Sequence, residues 1–163
     1  ESNPLTEIAM DKLKLIFTGK VTNWKEVGGP DAKIVVYSRE NSSGTYVFFK
    51  EHVLNNADYT VRAQSMPGTA AVVNAVAKEK FGIGYGGAAY AKGIKILKIK
   101  KDNNSPAIAP DMAHVKDGSY PLSRPLYFYL RNKPTGQIAS FVDWVLSEKG
   151  QALVTKVGYY PVK

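Results

Sequence analysis

The feature that most limits the fold is a strand pattern that passes through a short polar loop directly into a helix pattern. Residues 33–38 form an apolar, β-branched run, and residues 45–55 have helical spacing with Val47, Phe48 and Val53 predicted to face inward. Strand and helix patterns continue to alternate along the chain, which is typical of α/β folds that layer helices against a sheet. We therefore predict an α/β fold.

The remaining elements are predicted from periodicity and from turn residues. A first helix over 6–18 has Thr6 at its start, Gly19 after its end, and Leu13 and Phe17 on its core-facing side. Strands are predicted at 60–64, 81–85, 94–100 and 122–130. Helices are predicted at 70–78, 135–146 and 147–157, and an irregular segment at 101–119.

The loop between the strand at 33–38 and the following helix carries a candidate anion site. It contains Arg39 at the strand exit and Ser43, Gly44 and Thr45 at the helix start. A helix N-terminus has unpaired N–H groups and partial positive charge, so an oxyanion binds there directly. Hydroxyls donate further hydrogen bonds, and a guanidinium forks onto two oxygens. The same residues also fit an ordinary N-cap and a surface ion pair, so both interpretations stand.

Two further motifs carry weaker signals. Ser65 and Thr69 precede the helix at 70–78, where they could be minor anion contacts or simple capping residues. Residues 82–87 satisfy G-x-G-x-x-G literally, but almost no strand precedes the first glycine. Because a dinucleotide fingerprint needs a strand before it and a helix after it, we predict that these glycines serve close backbone packing instead.

Composition narrows the functional classes. The formal net charge is +8, which attracts anions in general. The densest basic run, residues 95–101, alternates with apolar residues and lacks interleaved aromatics, so it predicts a half-buried strand and no nucleic-acid groove. The absence of cysteine excludes disulfides and thiolate metal sites. No apolar run reaches the 18 residues of a membrane-spanning helix.

Several segments, in order, resemble the phosphate-binding proteins that serve bacterial phosphate ABC transporters. They lie at 13–29 (with Asn23-Trp24 and Gly28-Gly29), 39–45, 71–85, 120–127, 141–151 and 158–161. The resemblance implies a periplasmic-binding-protein-like lobe of type II, with a mixed sheet flanked by helices. It also implies capture of inorganic phosphate outside the cytoplasm, in a periplasm or at the cell surface, and delivery to a membrane ABC permease.

The resemblance also assigns residues. It makes Arg39, Ser43, Gly44 and Thr45 the phosphate contacts of the second lobe, and we expect Ser42, Ser65 and Thr69 at most as minor contacts. It implies a non-enzymatic protein without catalytic residues, metal or cofactor. Trp24, Gly28 and Gly29 are interpreted as packing and turn residues, and no ligand role is assigned to Ser123 or Arg124.

The chain is shorter than the members of that family. It begins with Glu1 and not methionine, and we expect a fragment that lacks the N-terminal lobe and holds half of a binding site. Residues 1–118 are predicted to form the second lobe, and residues 119–163 a return strand and C-terminal helices directed to the first lobe. The expected partner is therefore that lobe or a second copy of the chain.

Two other functional classes remain open from the residues. An enzyme would need Ser43 or Thr45 as nucleophile with a histidine base, but His52 follows Thr45 by about two helical turns, roughly 10 Å. His114 is the other histidine, and G-x-S-x-G is absent. An interaction or assembly module with little ligand binding of its own would use exposed aromatics. The candidates are Tyr127, Phe128, Tyr129, Trp144, Tyr159 and Tyr160.

Overall fold

The computed structural model describes residues 3–162, which form an α/β arrangement of short strands and helices. The strands are β1 (Glu7–Ala9), β2 (Val35–Arg39), β3 (Gln64–Met66), β4 (Gly82–Ile83), β5 (Lys98–Lys100) and β6 (Ala107–Ile108). The α-helices are α1 (Met10–Phe17), α2 (Gly44–His52), α3 (Thr69–Lys78), α4 (Met112–Lys116), α5 (Gly136–Leu146) and α6 (Glu148–Lys156). Two 3-10 helices lie at Trp24–Val27 and Ala88–Tyr90.

The strands belong to two three-stranded sheets. One has the order β3-β2-β4 and is entirely parallel, with Arg39 opposite Met66 and Val36 opposite Ile83. The other has the order β1-β5-β6 and is mixed, since β1 pairs parallel and β6 antiparallel with β5. The α/β fold and the mixed sheet are confirmed, and the strands divide between two sheets.

The hydrophobic core packs α1 and α2 against the parallel sheet. Leu13 and Phe17 are buried as predicted, and Phe17 makes an edge contact with Phe49 at a centroid distance of 4.7 Å. Trp24 is 1% exposed, and its Nε1–H donates to the carbonyl of Phe81 at 2.9 Å. The structural interpretation of Trp24 is therefore confirmed.

Three predictions for the first half of the chain are wrong in detail. The first helix begins at Met10 and not at Thr6, because Glu7–Ala9 pairs with the distant strand β5. Val53 at the end of α2 is buried as predicted, but the buried residue within the helix is Phe49, whereas Val47 is 44% exposed. The segment predicted as a strand at 60–64 turns instead, and β3 begins only at Gln64. For β1 and β3, tertiary strand pairing decided between local alternatives.

The predicted strand at 122–130 is wrong. This segment has no strand pairing, and its large apolar side chains from Leu126 to Leu130 are exposed. Alternating side chains specify a strand only where another strand supplies hydrogen bonds, and none lies alongside within residues 3–162. The segment at 101–119, predicted to be irregular, contains β6 and α4.

The C-terminal helices are confirmed at nearly the predicted bounds. Ser147 caps α6 by accepting the N–H of Gly150, and Gly158 follows the helix with a positive φ of 90°. Within the described residues, the only buried positions after Ile99 are Gly150 and Gln151. The boundary between 118 and 119 stays a prediction, and positions 1, 2 and 163 of its ranges lie outside the described residues.

Candidate anion-binding site

The site lies at the edge where the parallel strands β2 and β3 end. Arg39 closes β2 and Met66 closes β3, and their direct pairing places both strand ends side by side. Helices α2 and α3 begin a few residues later, at Gly44 and Thr69. Open parallel sheets bind ligands at this carboxyl edge because the loops and helix N-termini converge there. The fold thus brings both predicted helix starts to one place.

Ser43 is the N-cap of α2. Its Oγ accepts the N–H groups of Thr45 at 3.2 Å and Tyr46 at 3.4 Å, and its own N–H donates to the Glu40 carbonyl at 3.0 Å. A hydroxyl accepts two hydrogen bonds and donates one, so the proton of Ser43 remains available to a ligand oxygen. No acceptor for the Gly44 N–H occurs within residues 3–162, and the first turn holds no acidic side chain. The capping interpretation is confirmed, and it leaves donors for an anion.

Arg39 is held by two neighbours. Its Nη2 and Nε donate to Glu40 at 2.7 and 3.3 Å, and its Nη1 donates to Thr69 Oγ1 at 2.8 Å. The hydrogen bond with Glu40 raises the pKa of Arg39, and the same bond lowers the pKa of Glu40. The ion-pair interpretation of Arg39 is therefore also confirmed. Its guanidinium is fixed in direction and carries a charge that Glu40 balances.

A network of hydroxyl groups contacts the backbone of Arg39. The hydroxyl of Tyr85 accepts the backbone N–H of Arg39 at 3.3 Å and lies 2.9 Å from both Ser38 Oγ and the Tyr59 hydroxyl. Tyr59 in turn donates to the carbonyl of Tyr46 in α2 at 3.2 Å. Burial raises the pKa of Tyr59, which keeps its hydroxyl protonated. Sequence reasoning missed this network, because Tyr59 and Tyr85 are far apart in the chain. Each side chain is largely apolar, so neither residue stands out as part of a polar site.

Arg124 also reaches this edge. A Cβ placed on Gly44 would lie 3.4 Å from Arg124 Nη2, and the guanidinium carbon lies 5.5 Å from the ring centroid of Phe48. The sequence assigned this residue no ligand role, and no local pattern links it to α2. Its proximity results from the course of the segment before α5.

The other predicted residues divide into two groups. Thr69 lies at the site, where it holds Arg39, while Ser42 is exposed in the turn before α2. Ser65 is exposed on β3 and, with Arg39 and Asn41, lines an open concavity of about 380 Å³. The structure therefore places Ser42 and Ser65 near the strand ends, and Thr69 in direct contact with the guanidinium.

Neither histidine forms a base for a hydroxyl nucleophile at this edge. His52 Nδ1 lies 3.0 Å from the Phe48 carbonyl, and its ring stacks on that of Phe48 at 4.2 Å. His114 lies in α4, and its Nδ1 is 2.8 Å from a carboxylate oxygen of Asp111, the N-cap of that helix. Among residues 3–162, no group of three His, Asp or Glu side chains is arranged to hold a metal ion. The described geometry thus places neither histidine against Ser43 or Thr45.

The glycine-rich run after α3 packs the parallel sheet. A Cβ on Gly84 would lie 2.5 Å from Val72 Cγ1, and one on Gly86 would collide with Thr69. These glycines let α3 approach β4 closely, and α3 carries Thr69 to Arg39. The packing role predicted for this run is confirmed.

Comparison with known proteins agrees with this architecture. A family model described as a PBP superfamily domain matches residues 1–149. The phosphate-binding protein PstS of Staphylococcus aureus is 37% identical over 168 aligned residues, which cover 98% of this chain and 50% of the relative. The chain spans about half the length of the curated relatives it matches.

Two solved structures share the fold. One from Clostridium perfringens, described as a phosphate ABC transporter substrate-binding protein with bound phosphate, is 36% identical with a TM-score of 0.86. The alignment covers 99% of this chain and 65% of that one. PstS from Borrelia burgdorferi is 28% identical with a TM-score of 0.77, covering 100% of this chain and 66% of that one.

Proposed function

This chain belongs to the PBP superfamily, and we propose that it binds inorganic phosphate non-covalently as a lobe of the solute-binding component of a phosphate ABC transporter. The observation that carries the proposal is the fixed guanidinium of Arg39 at the end of β2, from which the chain leads directly to the N-terminus of α2, whose first turn holds no acidic residue. The names of the relatives from Staphylococcus aureus and Clostridium perfringens support phosphate as the anion. Such a protein works outside the cytoplasm, in a periplasm or at the cell surface, and delivers its ligand to a membrane permease.

We assign the phosphate contacts to four residues. The Gly44 N–H and the hydroxyl protons of Ser43 and Thr45 donate to phosphate oxygens, and Arg39 contributes its guanidinium edge. These groups bind and orient an anion, and none of them is a nucleophile with an adjacent base. We therefore propose a binding protein without catalytic activity, cofactor or metal. Ser42 and Ser65 are at most secondary contacts.

The decisive test is a phosphate titration of the purified chain by calorimetry, with sulfate as competitor. A single lobe leaves its ligand wet, so we expect a dissociation constant in the millimolar range, about −4 kcal/mol. The substitution Arg39→Ala should weaken binding at least tenfold because it removes the directed guanidinium. Arg131→Ala is the matched control, since Arg131 is an exposed arginine away from α2. Equal binding by both variants would refute the site.

A second candidate function rests on the exposed apolar surface of the C-terminal part. Phe141 and Trp144 of α5 are 54% and 46% exposed, and Phe128 packs on Phe141 at a centroid distance of 6.1 Å. We call Phe128, Phe141 and Trp144 the α5 surface. The curated relatives are about twice as long as this chain, so we propose that a first lobe covers the α5 surface. The chain would then serve as an assembly module.

Sedimentation velocity distinguishes these possibilities. We expect the chain alone to self-associate through the α5 surface as its concentration rises, and Phe141→Ser to shift it toward monomer. A separately produced first lobe should bind the wild-type chain and compete with self-association. If the chain stayed monomeric at every concentration and did not bind the first lobe, the assembly function would be contradicted. The proposal of phosphate binding would still stand.

A further inference from the structure

We propose that Arg124 supplies the net positive charge of the phosphate site, while Arg39 supplies direction. This inference rests on the proposed phosphate function and concerns a residue that the motif of the site does not include. It divides the work between two arginines that differ in their surroundings. Arg39 is neutralised by Glu40 and held in place, whereas Arg124 is exposed and lies over the ring of Phe48.

The position of Arg124 follows from two contacts along α2. Its Nη2 lies 3.4 Å from the Cβ position of Gly44, the first residue of the helix. Its guanidinium carbon lies 5.5 Å from the ring centroid of Phe48, one helical turn later. A guanidinium over an aromatic face is held by the ring quadrupole. Arg124 is therefore placed along the first turn of α2, where the anion is proposed to bind.

The charges around this turn leave Arg124 as the unbalanced one. Arg39 and Glu40 form an ion pair at 2.7 Å, so their formal charges cancel. Ser43, Gly44 and Thr45 are neutral, and the first turn of α2 holds no acidic residue. Without Arg124, a phosphate anion would meet only hydrogen-bond donors and the helix dipole. With it, the site has one net positive charge.

No carboxylate in the described part of the chain balances the charge of Arg124. No carboxylate of residues 3–162 forms an ion pair with Arg124, although five other ion pairs are present in that part of the chain. A cation beside a helix N-terminus is unfavourable, because both carry positive charge. An anion between the guanidinium and the Gly44 N–H would reverse the sign of that interaction. The arrangement is thus complementary to an oxyanion.

This division of roles predicts different responses to salt. Interactions of an exposed charge are screened beyond the Debye length, which is about 30 Å at about 0.01 M and about 3 Å at about 1 M ionic strength. The contribution of Arg124 should therefore depend strongly on salt. The hydrogen bonds of Arg39 and α2 are short-ranged, so they should persist at high salt. Arg124→Lys keeps the charge and should keep most of the salt dependence, although it replaces the planar guanidinium beside Phe48 with an ammonium group.

The test is a titration of the ¹⁵N-labelled chain with inorganic phosphate, following the Gly44 and Thr45 amide resonances at both ionic strengths. For Arg124→Gln we expect roughly tenfold weaker binding at low salt and little change at high salt. Arg131→Gln is the matched control, an exposed arginine further along the same segment, and it should resemble the wild-type chain. Unchanged amide spectra without phosphate would establish that the variants are folded.

The outcomes separate the two proposals. If Arg39→Ala abolishes binding while Arg124→Gln leaves both the affinity and its salt dependence unchanged, the charge role of Arg124 is refuted and the phosphate site stands. An equal loss in Arg124→Gln at low and high salt would also refute it, because that pattern indicates a structural contact. If the wild-type amides do not respond to phosphate at all, both proposals fail.

Discussion

At the scale of single residues, the site is defined by how each polar group divides its hydrogen bonds. Ser43 Oγ accepts two hydrogen bonds from the first turn of α2, and its hydroxyl proton remains available for donation to a ligand. Arg39 uses all three guanidinium nitrogens within the protein. Its value to a ligand therefore lies in the remaining N–H directions, which Glu40 and Thr69 hold fixed. Preorganised donors of this kind bind with less loss of side-chain entropy.

The hydrogen bond from Arg39 to Thr69 leads to a prediction. Thr69→Val keeps the shape of the side chain and removes the acceptor of Nη1, so Arg39 loses one of its two supports. We expect phosphate binding to weaken about three- to tenfold, about 1 kcal/mol, in calorimetry. Thr18→Val is the control, because Thr18 also makes a side-chain hydrogen bond, to Lys14 in α1. Equal affinities of the two variants would contradict a positioning role for Thr69.

At the scale of elements, the site depends on the docking of α3 against the parallel sheet. The helix carries Thr69 at its first turn and Val72 at its buried face, and Val72 rests on Gly84. A side chain at this glycine would push the helix outward. The displacement would carry Thr69 away from Arg39, so the packing of one element and the order of the site are coupled.

A second prediction follows from this docking. Gly84→Ala should destabilise the protein by about 1–3 kcal/mol in urea unfolding, because its Cβ would lie 2.5 Å from Val72 Cγ1. Gly68→Ser is the matched control, since nothing lies within 4 Å of the Cβ position, the φ of −174° is extended backbone, and serine is favoured at the N-cap position that Gly68 occupies in α3. The control should leave the free energy of unfolding nearly unchanged. Similar losses in both variants would mean that α3 is not tightly docked on the glycine.

At the scale of the whole molecule, burial is uneven along the chain. The core draws its buried side chains from Ile8 to Ile99, with Tyr120 and Leu122 packed partly against it. The segment from Leu126 to Leu130 and helix α5 instead expose large apolar groups. No helix of the described residues has both the length and the apolar character to cross a membrane. The large apolar groups that the core leaves exposed are thus concentrated in one part of the chain, from Leu126 to the end of α5.

Two half-buried tyrosines predict an alkaline limit to stability. Burial is the main cause that raises the pKa of Tyr120 to about 12, and it also raises the pKa of Tyr59. An unfolded tyrosine has a pKa of about 10, so the folded state holds more protons above that pH. The contribution of these tyrosines to the free energy of unfolding is therefore fully present below about pH 10, and it should be lost as the pH rises toward about 12.

Urea unfolding across this pH range checks the prediction. Tyr120→Phe should reduce the loss of unfolding free energy between about pH 10 and about pH 12, because phenylalanine cannot ionise. Tyr127→Phe, at an exposed position, should reproduce the wild-type pH dependence. If Tyr120→Phe lost as much stability as the wild-type chain, ionisation of that residue would not be the cause.

Local sequence alone was sufficient for the features that depend on a few neighbouring residues. The strand that ends at Arg39, the cap at Ser43, the buried Trp24 and the two C-terminal helices follow from periodicity, capping chemistry and turn residues. These signals act within one or two helical turns, so they survive in most tertiary contexts. The resemblance to phosphate-binding proteins rests on the same kind of local segments.

Only the tertiary structure decided which distant groups meet. Glu7–Ala9 became a strand because β5 lies beside it, while 122–130 stayed unpaired because no strand of residues 3–162 lies beside that segment. Thr69 reached Arg39 through the packing of α3, and Arg124 reached Gly44 through the course of the chain before α5. Periodicity and propensity report the conformation of a segment and carry no information about its distant neighbour. The contact of Arg39 with Thr69 and the contacts of Arg124 with α2 were therefore set by packing, whereas Glu40, the ion-pair partner of Arg39, is its neighbour in the sequence.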